Sequence, residues 1–158
     1  MTKVSTNIWF EKNAKEAVEF YVSMVPNSSI RRTTVIPADT PSGPEGSCKV
    51  IEFRLGDQEF TALEAGPLDP LNHSFSIVVG CETQAEIDRL WDGFLQNGGV
   101  EEACGWLKDR WGLSWQVVPR VLGEMMADPD RAKARRMTEV MLQMVKLDVA
   151  KLEAAFRG

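Results

Sequence analysis

Few side chains in this sequence could carry out covalent or acid–base chemistry. The chain of 158 residues has a single histidine, His73, and three cysteines without CxxC spacing. An odd number of cysteines in this arrangement favours neither a disulfide framework nor a zinc knuckle, so reduced thiols are expected. Cys104 is a reactive thiol if Lys108 or Arg110 favours its thiolate, and otherwise a buried, inert residue. His73 is either a pocket residue or a strand-start residue satisfied by hydrogen bonds.

A second feature is the stretch CGWLKDRWGLSWQVVP, residues 104–119, which holds three of the five tryptophans. Because side chains alternate along a strand, Trp115 should face the helix that carries Trp91 and Phe94. Gln116 then points to the opposite face, where it looks into any cavity that the sheet lines. Burial of these rings predicts that most of the tryptophan surface is structural.

Three more residues are candidates for lining a ligand pocket. Trp106 lies across the predicted hairpin and Trp9 lies on the first predicted strand, and each either lines the pocket or packs in the core. Glu64 ends an apolar strand just before Ala-Gly-Pro. It therefore lies either at the mouth of a cavity or at a solvated strand end.

The first half of the chain must position Trp9 and Glu64, and its patterns predict the order β-α-β-β-β. The helix over residues 14–25 is expected to begin at Asn13 as its cap and to stop at Pro26. A Gly-Asp turn joins the last two strands as a hairpin. The predicted strands are residues 5–10, 29–36, 48–55 and 58–64.

The second half repeats this order and adds a helical tail. Its helix over residues 83–96 opens with the capping box Thr83 and Glu86. The predicted strands are residues 73–79, 104–107 and 113–118, with room for a short one near Val100. Asp128 as N-cap with Pro129 at the first position starts the tail. We predict an α+β domain over residues 1–158, with modules at about 4–66 and 72–119 and a tail at about 128–158.

Composition excludes several classes of protein. With 44% apolar and 26% charged residues the chain has ordinary globular composition, and no apolar run approaches the roughly 20 residues that span a bilayer. The net charge of −5 with interspersed signs gives no basic field for nucleic acid. The N-terminus has no apolar signal segment, so a cytoplasmic location is expected. We expect neither a nucleic-acid partner nor a membrane.

Tandem modules ending in a D-x-x-G-x-x-x-Q turn and strand resemble the vicinal-oxygen-chelate superfamily of glyoxalases, bleomycin-resistance proteins and dioxygenases. The stretches NIWFEKNAKEAVEFYVSMVPNSSI, FTALEAGP, CETQAEIDRLWDGF and CGWLKDRWGLSWQVVP look like its PhnB-like group, often labelled 3-demethylubiquinone-9 3-methyltransferase. The resemblance implies mixed sheets that curl around a cavity. It also implies a homodimer, which open sheet edges favour as well.

The methyltransferase label does not fit the residues. A protein that uses S-adenosylmethionine normally needs a glycine loop between a strand and a helix, and this chain has no G-x-G. The pattern of elements is also not a run of βα units that would form a doubly wound sheet. We therefore discount methyl transfer.

The resemblance also implies where metal ligands would lie in this chain, namely at Thr6, Glu64, His73 and Gln116. Only Glu64 is anionic, and glutamine at position 116 supplies neither charge nor basicity to an ion. We therefore expect no cofactor. If a divalent metal is bound, Glu64 and His73 are the expected ligands.

The sequence thus indicates a PhnB-like protein that binds an unknown small molecule. One alternative is a lyase, isomerase or dioxygenase that depends on a divalent metal. A further alternative is sequestration of a drug or metabolite without catalysis, which needs only shape and stacking surface.

Overall fold

The computed structural model describes all 158 residues and divides into two compact units, Met1–Pro70 and Leu71–Gly158. The first unit is a four-stranded mixed sheet with one helix. Its strand order is β1-β4-β3-β2, in which β1 and β4 are parallel and the other neighbours are antiparallel. Its elements are β1 (Thr6–Phe10), α1 (Ala14–Met24), β2 (Ser29–Val35), β3 (Lys49–Leu55) and β4 (Gln58–Glu64).

One face of this first sheet forms the core with α1. The row Ile8, Ala62 and Ile51 runs across three strands and is at most 2% exposed. Phe53 is stacked on Phe60 in the neighbouring row at 5.3 Å between ring centroids. Burial of each such side chain stabilises the fold by about 1.5–3 kcal/mol. The alternate residues therefore lie on the face opposite α1.

The second unit repeats the same arrangement with the strand order β5-β8-β7-β6, in which β5 and β8 are parallel. The predicted fold of two β-α-β-β-β modules in the α+β class is thus confirmed, including the short strand near Val100. The elements are β5 (Ser76–Cys81), α2 (Gln84–Gln96), β6 (Val100–Glu101), β7 (Trp106–Lys108) and β8 (Ser114–Pro119).

Packing of α2 on this sheet explains much of the tryptophan in residues 104–119. Trp115 is fully buried, and its ring lies 4.8 Å from that of Phe94 between centroids. Trp91, on the same helix, is 2% exposed. The prediction that Trp115 faces α2 is therefore confirmed.

A buried carboxylate in the β7–β8 turn was missed by the sequence analysis. Asp109 is 5% exposed, and its Oδ1 accepts the backbone N–H groups of Trp111 and Leu113 at 2.9 and 3.0 Å. Its Oδ2 accepts the indole N–H of Trp115 at 2.9 Å. One side chain thus fixes the turn and orients the largest ring of the core.

The tail consists of α3 (Leu122–Met126), α4 (Arg131–Met141) and α5 (Val149–Arg157). Its own core buries Met137, Leu147 and Leu152 to 1% exposure or less. The side chain of Gln84 bridges two points of the tail, since it donates to the Leu147 carbonyl at 3.1 Å and accepts from Val149 N–H at 2.8 Å. None of the helices in the chain has the length and apolar character needed to cross a membrane.

Asn13 is the N-cap residue of α1 as predicted but makes no side-chain bond there, and the cap predicted at Asp128 is wrong. Asn13 has a left-handed backbone, φ 61°, and makes no side-chain capping bond to α1. Asp128 lies two residues before the observed cap. Asp130 is the N-cap of α4, and its side chain accepts the N–H groups of Ala132 and Lys133. The two differences have the same cause. Asn and Asp side chains bond to nearby backbone groups in turns as well as at helix caps, so residue type alone does not locate the capping bond.

Two predicted strand starts are also wrong. The strand expected from His73 begins at Ser76, since residues 73 and 74 form a turn in which Asn72 Oδ1 accepts Ser74 N–H at 2.8 Å. The strand expected from Cys104 begins at Trp106, because Cys104 has a positive φ of 59°. Gly105 next to it has no room for a Cβ, which would lie 2.9 Å from the Val117 carbonyl oxygen.

Replacement of Asp109 by asparagine should destabilise the protein by about 2 kcal/mol or more, because an amide N–H₂ cannot accept the bonds that one carboxylate oxygen now receives. Chemical unfolding followed by circular dichroism measures this loss. The exposed Asp69→Asn change is the control and should stay within about 0.5 kcal/mol of wild type. Equal stabilities for the two variants would contradict the role given to Asp109.

Candidate functional site

The face of the second sheet opposite α2 carries two of the predicted pocket residues side by side. Trp106 on β7 pairs with Gln116 on β8, which pairs in turn with Val78 on β5. Trp106 and Gln116 are both half-buried, and the Gln116 amide donates to Ser76 Oγ at 2.9 Å. The predicted orientation of Gln116, away from Trp115, agrees with this register.

His73 lies beside this row and has a carboxylate partner. Its Nε2 is 2.9 Å from both carboxylate oxygens of Glu102, and its ring centroid is 6.3 Å from that of Trp106. The His73 side chain is 56% exposed and that of Glu102 is 29% exposed. A carboxylate that holds one ring nitrogen leaves the other nitrogen of the imidazole for a ligand or a proton.

Sequence reasoning missed Glu102. It follows the two-residue strand β6, and its backbone N–H donates to the Trp106 carbonyl at 2.9 Å. This bond places Glu102 across from the start of β7. No spacing in the sequence joins residues 73 and 102, so only the register of a very short strand pair could have indicated the contact.

In the first unit, Thr6 and Glu64 lie on neighbouring strands but not at the same level. Thr6 pairs with Phe60, whereas Glu64 pairs with Phe10 at the other end of β1. Four residues of strand correspond to about 13 Å. The Thr6 hydroxyl also accepts the Gln58 amide at 3.2 Å.

Glu64 lies on the same side of the sheet as α1, and its carboxylate supports that helix. Its Oε2 accepts the N–H of Ala14, the first residue of α1, at 2.9 Å, and Lys49 Nζ lies 3.4 Å from Oε1. The negative charge thus lies at the positive end of the helix dipole. Glu64 performs the capping role that the sequence analysis assigned to Asn13.

Trp9 alternates with Ile8 and Phe10 and therefore lies on the face opposite α1. Trp9 is half-buried and pairs with Leu63 on the neighbouring strand β4. Its indole N–H donates to the Gly66 carbonyl at 2.9 Å. The ring surface of Trp9 is available to line a pocket, while its N–H is used to hold the end of β4.

The residues expected to bind a metal make other contacts in the structure. The structure has no group of three or more His, Cys, Asp or Glu side chains placed to hold an ion. The Glu64 carboxylate accepts the Ala14 N–H and forms an ion pair with Lys49. The Nε2 of His73 contacts the Glu102 carboxylate. A metal site needs several oxygen or nitrogen donors directed at one point.

The thiol of Cys81 is not a candidate nucleophile. Burial, followed by repulsion from Glu86, raises the pKa of Cys81 to about 11, so this thiol stays protonated at neutral pH. Cys104 is half-buried, and its backbone N–H donates to the Met144 carbonyl at 2.8 Å. The His73–Glu102 pair is the titratable pair that lies beside the Trp106 ring.

Comparison with known proteins places this arrangement in a family. Residues 2–118 match the model of the family described as 3-demethylubiquinone-9 3-methyltransferase. The chain belongs to that family. It is PhnB-like and has a glyoxalase-like fold, and the matched region ends within β8, before the helical tail begins.

Several solved structures have a similar fold. A putative 3-demethylubiquinone-9 3-methyltransferase, a PhnB protein from Bacillus cereus, is 29% identical, with a TM-score of 0.61 over 75% of this chain and 98% of that one. The trypanothione-dependent glyoxalase I of Leishmania major is 13% identical, with a TM-score of 0.55 over 80% and 91% of the two chains. The fosfomycin resistance protein FosX of Mesorhizobium loti is 11% identical, with a TM-score of 0.55 over 80% and 98%. No curated protein matches the chain.

Truncation of Glu64 to alanine should destabilise the protein by about 1–2 kcal/mol, because the Ala14 N–H loses its acceptor and α1 loses the charge at its N-terminus. Unfolding in urea measures the difference. The control is Glu45→Ala, which removes an exposed loop carboxylate. If both variants unfold at the same urea concentration, Glu64 has no capping role, and its carboxylate becomes available for a ligand.

Proposed function

We propose that this PhnB-like protein binds a small organic molecule against Trp106, on the face of the second sheet opposite α2. The observation that carries the proposal is the half-buried Trp106 ring with the His73–Glu102 pair on one side and Gln116 beside it. Ligand sites in proteins commonly combine an aromatic or apolar surface with a few fixed polar groups. Both elements meet here within one unit.

The chemistry of these groups suggests how a ligand is held. The open part of a half-buried indole favours a planar or conjugated group, and aromatic stacking contributes about 0.5–1.5 kcal/mol beyond area burial. Gln116 is anchored by Ser76 and His73 by Glu102, so each polar group is oriented before a ligand arrives. Pre-orientation reduces the entropy lost on binding.

We do not assign methyl transfer from S-adenosylmethionine, despite the description of the family. The chain has no G-x-G between a strand and a helix, and both of its sheets are mixed and four-stranded. We also do not propose a divalent metal, because the Glu64 carboxylate already accepts the N–H of the first residue of α1. Proton transfer by His73 is the chemistry that the second unit supports best, and sequestration without reaction would use the same stacking surface.

Trp106→Leu should weaken binding of a planar ligand by about tenfold or more, since stacking on an aromatic side chain is lost. The test uses isothermal titration with a panel of water-soluble phenols and quinols, including a short-chain 3-demethylubiquinol analogue. Signals of the single imidazole, His73, should shift in NMR spectra during the same titrations.

Trp111→Leu is the matched control, because it removes a half-buried tryptophan of the same hairpin. It should retain wild-type affinity. If no compound in the panel saturates the wild-type protein, or if both variants lose affinity equally, the proposed function is wrong.

We further propose that the protein is a homodimer. The supporting observation is the outer backbone edge of β2, the edge strand of the first sheet, whose side chains would stay on the faces of the sheet if a second chain paired with it. Unpaired sheet edges tend to be covered by another chain. Sedimentation at micromolar concentration should give twice the 17.7 kDa chain mass, and a species of 17.7 kDa would refute the proposal.

A further inference from the structure

The edge strand β2 contains a β-bulge at two consecutive arginines. Ile30 pairs with Phe53 and Arg32 pairs with Glu52, which leaves Arg31 as the extra residue. In a regular strand, adjacent side chains point to opposite faces. The bulge breaks this alternation, so Arg31 and Arg32 both reach the face opposite α1, where their carboxylate partners lie.

The two arginines line a polar cleft of about 340 Å³ in the first unit. Its lining comes from the segment before β1 and from three strands. The lining residues are Lys3, Ser5, Arg31, Arg32, Glu52, Glu59, Phe60 and Thr61.

Three cations and two carboxylates in this cleft are arranged as ion pairs. Glu59 accepts from Arg31 Nη2 at 2.5 Å and lies 3.8 Å from Lys3 Nζ, while Arg32 Nε donates to Glu52. The Glu59 side chain is 22% exposed, whereas those of Arg32 and Lys3 are 68% and 69% exposed. The Glu59 carboxylate thus lies beneath cations that face solvent, whereas Glu52, at 38% exposure, is partly open to solvent itself.

Such ion pairs orient the arginines without using all of their donors. A guanidinium has five N–H groups in a planar fork, and the contacts to Glu52 and Glu59 use one edge of each. Exposed ion pairs contribute little to stability, so the arginines can share their donors with an incoming anion at small cost. Three cations against two carboxylates leave a local excess of one positive charge.

We propose that this cleft binds the phosphate-type oxyanion of a small molecule, with Arg31 and Arg32 as the recognising residues and Lys3 as a supporting charge. Forked guanidinium donors match phosphate oxygens, and hydrogen bonds between charged groups are the strong ones. The inference goes beyond the proposed function, because the cleft belongs to the first unit and shares no residue with the group around Trp106.

The test uses inorganic phosphate as the probe, with titration calorimetry of the full chain at low ionic strength. We expect saturable one-to-one binding that weakens as sodium chloride is added. Arg31→Gln and Arg32→Gln should each lower the affinity about tenfold. The control is Arg135→Gln, which removes an arginine of similar exposure from an ion pair on α4 and should leave the affinity unchanged.

Glu52→Gln gives an effect of the opposite sign. Without its carboxylate competitor, Arg32 has one more donor for the anion, so phosphate affinity should rise severalfold. Impaired folding cannot produce tighter binding, and this variant therefore separates recognition from loss of structure. Absence of saturable binding, equal losses in Arg32→Gln and Arg135→Gln, or weaker binding by Glu52→Gln would each overturn the inference.

Trp106→Leu distinguishes this inference from the proposed function. It should abolish stacking of planar compounds and leave phosphate affinity as in wild type. If phosphate binds but none of the phenols and quinols does, the anion site is supported and the proposed function is contradicted. If the phenols and quinols bind but phosphate does not, only the anion site is contradicted.

Discussion

Each sheet of this protein packs a single helix on one face, and most of the architecture depends on that constraint. Because side chains alternate along a strand, the buried row Ile8, Ala62 and Ile51 forces its neighbours to the other face. Trp115 and Gln116 are divided in the same way in the second unit. A shift of one residue in register would exchange core and candidate site, so the packing that stabilises the fold also selects which residues can meet a ligand.

Buried or half-buried carboxylates complete this arrangement where the backbone leaves donors without partners. Asp109 accepts three N–H groups in the β7–β8 turn, and Glu64 accepts the first N–H of α1. Each satisfies donors that would otherwise be costly to bury. Glu102 differs, because it holds a side chain beside the Trp106 ring. These three carboxylates therefore comprise two structural acceptors and one that bears on the candidate site.

The order of elements could be predicted from the sequence because periodicity and turn residues are local signals. The alternation of side chains along a strand was sufficient to predict that Trp115 packs against α2 and that Gln116 lies on the opposite face of the sheet. The site was harder to predict, since its contacts join residues distant in sequence. The Glu64–Ala14 bond spans 50 positions and the His73–Glu102 pair spans 29. The strand start at His73 was misplaced because Ser and Phe after it suit both a strand and the turn that Asn72 forms.

Trp106 begins β7 directly after two residues whose backbone is held by the tail. Cys104 and Gly105 donate N–H bonds of 2.8 Å to the carbonyls of Met144 and Val145, about forty positions later. That tail lies beyond the part of the chain that matches the family. A substitution that shifts Met144 or Val145 can therefore move the start of β7, and with it the ring of Trp106, through two backbone hydrogen bonds.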